Sequence, residues 1–115
     1  MIKNTNTSNE DRRPSTRKPV LLTGIVAFDG GLRSFDCTIR DLSDTGARIV
    51  AAKGASIPEA FYLINVRDRM AYEAVLVRND PGGAGIQFKK TLPLSGVTDP
   101  ALGFLKKLWL SRAAG

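Results

Sequence analysis

"SFDCTIRDLSDTGARIV", residues Ser34–Val50, carries the pattern that decides the fold. In its first seven residues Phe35, Cys37 and Ile39 fall on one side of an extended chain. Asp36, Thr38 and Arg40 fall on the other, the period-two signature of a half-buried strand. "GARIV" (Gly46–Val50) reads as another short strand, reached through the tight segment "DLSDTG" (Asp41–Gly46). Read as a turn, that segment has Asp41 and Ser43 bonding nearby backbone N–H groups and Gly46 supplying a positive φ. Cys37 lies on the apolar face and reads as a small buried hydrophobe rather than a nucleophile.

The same texture extends in both directions. "VLLTGIVAF" (Val20–Phe28) is rich in β-branched residues, and the "DGG" after it is a hairpin signal. "AFYLINV" (Ala60–Val66) and "MAYEAVLVR" (Met70–Arg78) form the next pair, joined through "RD". "NDPGG" is a second hairpin signal and leads into "AGIQF" (Ala84–Phe88). These short strands at close spacing, with no helical pattern between them, predict a six-stranded antiparallel β-barrel over residues 20–90. The C-terminus differs: Ala101, Phe104, Leu105, Leu108 and Trp109 recur at the spacing of one helical face. A helix over 99–113 follows, with Thr98 or Asp99 as N-cap, Pro100 in the first helical position and Trp109 either packed on the barrel or serving partner recognition. The fold class expected is all-β with one C-terminal helix.

A chain of 115 residues forms one domain able to bury a core. Seventeen Lys and Arg against eleven Asp and Glu leave a net charge of +6. That excess favours a polyanionic partner (a nucleic acid, a nucleotide or an anionic membrane surface) or serves solubility alone. One cysteine cannot form an internal disulfide, and a chain without histidine cannot build a Ser–His–Asp or Cys–His site or a Cys/His zinc site. "DPGGAG" has neither the ending of a P-loop nor the context of a dinucleotide-binding turn. No enzyme is expected, and no cofactor or metal. The lack of an 18-residue apolar run and of an apolar core in "MIKNTNTSNE" leads to the expectation of a cytoplasmic protein without membrane insertion.

Residues 1 to about 19 are polar and read as a mobile tail. Its end, "DRRPSTRKP" (Asp11–Pro19), concentrates Arg12, Arg13, Arg17 and Lys18. Pro14 and Pro19 bias the residues before them away from helix, so the arginines sit on extended chain or turn. Guanidinium groups there can bind phosphate, or the O6 and N7 acceptors of guanine, through paired hydrogen bonds. "DLSDTG" also admits a ligand reading, since an Asp carboxylate suits the N1–H and N2–H₂ donors of guanine.

Arg-x-x-x-Arg (Arg13, Arg17) before the first strand, with Asp-x-Ser-x-x-Gly (Asp41, Ser43, Gly46) between the second and third, resembles the PilZ family. "GIQF" (Gly85–Phe88) looks like that family's signature in the last strand, and "VLVRN" before it also fits. The resemblance covers about residues 12–110 and implies a PilZ-like split barrel, a stand-alone bacterial receptor for the second messenger cyclic di-GMP. It implies a disordered tail over 1–11 and a domain over 12–113, with the arginine motif in a loop at 12–19. It further implies that Arg13 and Arg17 hold the phosphates and guanine edges, that Asp41 and Ser43 contact a guanine, and that Gly46 leaves room for the base. Arg48 matches a position that often carries another contacting arginine, and Arg12 is an accessory or a solvated charge. The ligand would order the N-terminal loop and so signal to a downstream effector protein.

Two other readings compete. A PilZ-like interaction module would bind a protein and no nucleotide, and the loss of either motif would favour it. A small nucleic-acid-binding barrel would need exposed aromatics for base stacking, whereas Phe35, Phe61 and Phe88 sit in apolar patterns that look like core. No DNA or RNA partner is expected.

Overall fold

Each alternating segment becomes a strand in the computed structural model, which describes residues 18–113. The described residues run β1 (Lys18–Phe28), β2 (Arg33–Leu42), β3 (Gly46–Ala51), β4 (Ala60–Asn65), β5 (Met70–Asp80), β6 (Gly83–Pro93) and α1 (Gly103–Ala113). All pairings are antiparallel, and the sheet closes into a barrel in the order β1-β2-β3-β6-β5-β4. This is the six-stranded barrel with a C-terminal helix that the sequence predicts. The strands run longer than the sequence suggests, from Lys18 on β1 to Pro93 on β6, because ladder bonds continue past the apolar stretches.

The barrel interior follows directly from the period of two. Its buried cluster takes a pair of residues from every strand: Leu22 and Val26, Cys37 and Ile39, Ala47 and Ile49, Phe61 and Leu63, Tyr72 and Ala74, Ala84 and Ile86. Five of these pairs are spaced i, i+2, as inward positions on a strand must be. On β1 the spacing is four because Gly24 stands between them. A Cβ on Gly24 would lie 2.9 Å from Cys37 Sγ and 3.0 Å from Ile39 Cγ1, so glycine is what lets β2 fill that space. The Tyr72 and Phe88 rings stack with centroids 3.9 Å apart.

A second apolar layer lies outside the barrel, where α1 covers part of the sheet. Ile25, Ile64, Ala71 and Leu94 bury against Leu105, with Phe104, Leu108 and Trp109 packed around them. Trp109 donates its indole N–H to the Val66 carbonyl at 2.8 Å, so the polar edge of the ring is satisfied where the ring is half-buried. The expected helix over 99–113 needs one correction. Pro100–Leu102 is a 3₁₀ turn, and the α-helix begins at Gly103. Asp99 caps that turn, accepting from the Ala101 N–H at 2.9 Å. The tighter turn takes Ala101 off the apolar face, and it is exposed.

Candidate functional site

The strand β2 ends in an irregularity that re-aims its polar residues. Ile39 pairs with Ile49, but the next pair is Asp41 with Arg48, so β2 advances two residues while β3 moves one. That is a β-bulge, with Arg40 the extra residue. On an unbroken strand Asp41 would share the inward face of Cys37 and Ile39. The bulge places it across from Arg48, which projects outward between the buried Ala47 and Ile49. Leu42 then returns to pack on the core. Arg40 is exposed beside them.

Ser43 closes the link to β3. Its backbone N–H donates to the Gly46 carbonyl at 2.9 Å. Its hydroxyl accepts from the N–H groups of Thr45 and Gly46 at 3.3 and 3.2 Å, and lies 3.2 Å from the Gly46 carbonyl as a donor. Ser43 therefore has the turn-forming part that the sequence assigns it. Asp41 belongs to the strand rather than the turn.

Gly46 corrects the sequence expectation. It is the buried first residue of β3, paired with Gln87, and is not among the residues with positive φ. Its glycine is demanded by β6 instead: a Cβ there would strike the Ile86 carbonyl oxygen well inside van der Waals contact. The close approach of β3 and β6, not a left-handed backbone, excludes a side chain.

Arg48 is held by a feature that sequence reasoning passed over. Its Nη2 donates to the Gly82 carbonyl at 2.6 Å, so the guanidinium lies over the turn between β5 and β6. A Cβ on Gly82 would sit 2.5 Å from Nη2, and one on Gly83 3.0 Å from Nε. The "PGG" that signals a hairpin is thus also the floor under Arg48. One such bond leaves most of a guanidinium's donors available. Across β6, Gly85 separates Arg48 from Arg78, and Arg78 pairs with Asp80 at 2.8 Å.

Arg12, Arg13 and Arg17 lie outside the described residues, as does the tail over 1–11. The point where their segment joins the described chain is informative. Lys18 pairs with Leu42 and Pro19 with Asp41. The described chain thus begins beside the strand end that carries Asp41 and leads into Ser43.

Cys37 is buried, and its thiol pKa is pushed up to about 12, chiefly by loss of water and secondarily by the nearby Asp36 carboxylate. It is a packing residue. No helix among the described residues is long and apolar enough to cross a membrane.

No curated protein matches this chain. The family model of the PilZ domain matches residues 11–96, a span that takes in the arginine segment, all six strands and the turn at Ser43. Members of that family are generally receptors for cyclic di-GMP. With the closed barrel, the C-terminal helix and that match together, the chain belongs to the PilZ family.

Proposed function

We propose that this chain is a cyclic di-GMP receptor that grips its ligand between the arginine segment and the outer face of β2 and β3. The observation that supports it is the register. Asp41 is the cross-strand partner both of Arg48 and of Pro19, just beyond the arginine segment. In this reading Arg13 and Arg17 bind the phosphates and the Hoogsteen edges of the guanines, with Arg12 as an accessory. Asp41 accepts from guanine N1–H and N2–H₂, Ser43 contacts the same base, and Gly46 leaves the base its place. Arg48, fixed on the Gly82 carbonyl, presents its remaining donors to the ligand. Arginine suits these tasks better than lysine because its planar fork matches both phosphate and the O6/N7 edge. Closing of the arginine segment over the ligand makes a new surface for a downstream effector protein.

Calorimetric titration tests this. Cyclic di-GMP should bind roughly tenfold or more tighter than cyclic di-AMP, whose N6 amine stands where O6 accepts. Arg13→Ala and Arg17→Ala should each weaken binding by about 1.5–3 kcal/mol, the range for hydrogen bonds to charged groups. Ligand should slow trypsin cleavage at Arg17, since the bond after Arg13 leads into Pro14 and resists trypsin with or without ligand. A titration without heat, confirmed by equilibrium dialysis, would leave the nucleotide-free interaction module as the reading.

A further inference from the structure

The groove between α1 and the ends of β5 and β6 has no part in the site described above. It is lined by Arg69, Leu94, Ser95, Lys106, Trp109 and Leu110 and holds about 200 Å³. That falls below the roughly 300–1,000 Å³ of small-molecule sites and suits one bulky apolar side chain. Leu110 is 53% exposed at its edge, the one large hydrophobic of α1 left so open. Among the described residues no acidic side chain lines the groove. Helix α1 carries Lys106, Lys107 and Arg112 and no acid. Of the nearby carboxylates, Asp68 is engaged by Arg67 at 2.9 Å and by Asn65 at 3.0 Å, and Asp36 by Arg112 at 2.7 Å.

Arg69 is the second observation. It takes a left-handed backbone, φ 55°, where glycine or asparagine would be less strained. Its carbonyl accepts from the Leu94 N–H at 3.0 Å, and its guanidinium lies 5.4 Å from the Trp109 ring centroid. An exposed arginine kept at an unfavourable φ over an aromatic ring is strain in search of a function.

We infer that this groove is a docking site for an acidic peptide segment of a partner protein, with one leucine- or phenylalanine-sized anchor flanked by Asp or Glu. The anchor enters between Leu94, Trp109 and Leu110, and the flanking carboxylates meet Arg69 and Lys106. Charge complementarity selects this occupant. An anionic bilayer is the poorer fit, because it needs a broad apolar face and α1 leaves only Leu110 strongly exposed.

Trp109 is the chain's only tryptophan and lines the groove, so its fluorescence reports on the groove and on the docking of the helix that forms one wall of it. The probe is an array of synthetic peptides carrying one central Leu or Phe among Glu and Asp, set against the same array with Lys for the acids. Acidic members should shift Trp109 emission saturably, and the lysine array should not. Leu110→Asp should weaken the best member by about tenfold or more, since it removes an apolar contact and repels the acids. Arg69→Gly should weaken it about fivefold while leaving the melting temperature level or higher, because glycine relieves the left-handed φ. If R69G instead lowers the melting temperature and leaves peptide affinity intact, Arg69 only holds the helix and the proposal falls. It falls equally if both arrays bind alike, if no acidic peptide binds at millimolar concentration, or if only phosphatidylserine vesicles move the emission.

Discussion

Gly46 and Cys37 show how far one position's environment reaches. The buried Gly46 faces the Ile86 carbonyl, and any side chain must push β3 from β6. Gly46→Ala should therefore cost about 1–3 kcal/mol in urea unfolding, the usual range for overpacking. Cys37 tests the interior from the electrostatic side. Its raised pKa means that the folded state keeps the thiol proton when the unfolded chain would release it. That contribution is fully present below the ordinary thiol value of 9.0 and is lost as pH climbs from there toward about 12. Between pH of about 8 and 10.5, wild type should lose more stability than Cys37→Ala measured alongside it. The comparison isolates the thiol from Tyr62 and Tyr72, whose pKa values burial also raises. Equal slopes in the two proteins would remove the thiol from the alkaline limit.

At the scale of the element, α1 is a small helix whose anchorage decides whether it forms. Eleven residues are too few to be stable alone in water, so packing must supply the stability. Leu105 is fully buried against Ile25, Ile64, Ala71 and Leu94 and is the helix's main apolar contact. Leu105→Ala should cost about 2–5 kcal/mol, measured by thermal or urea unfolding. The turns behave differently, since their residues serve more than one element. The β5–β6 turn reverses the chain and also supplies the Gly82 carbonyl that holds Arg48 of β3.

The whole molecule is built so that its two apolar layers share strands. On β1, Ile25 faces the helix layer and Val26 the barrel interior. On β4, Ile64 and Leu63 divide in the same way. The barrel closes through the β1–β4 pairing from Gly24–Asn65 to Ala27–Tyr62, within these same stretches. Neither layer can be lost without disturbing strands that the other needs. Urea unfolding should therefore be a single transition, with Trp109 fluorescence, which reads the helix, coinciding with far-UV circular dichroism, which reads the strands. Separated midpoints would show the helix undocking first.

What the amino-acid sequence determined by itself was the set of local states. The alternation of Phe35, Cys37 and Ile39, the turn residues at Asp29–Gly31 and Pro81–Gly83, and the spaced apolar residues of α1 are periodic signals within a few residues of chain. So are the paired arginines and Asp-x-Ser-x-x-Gly, legible as motifs before any coordinate. Only the tertiary structure decided how distant segments meet. The bulge that turns Asp41 outward to Arg48 is a mismatch between two strands, invisible in either alone. The chain around Gly46 reads as a left-handed turn, whereas the approach of β6 is what excludes a side chain there, and nothing near Arg48 in the chain points to Gly82, 34 residues away. Periodicity is written in neighbouring residues, whereas register, closure and steric exclusion arise when separate segments occupy the same space.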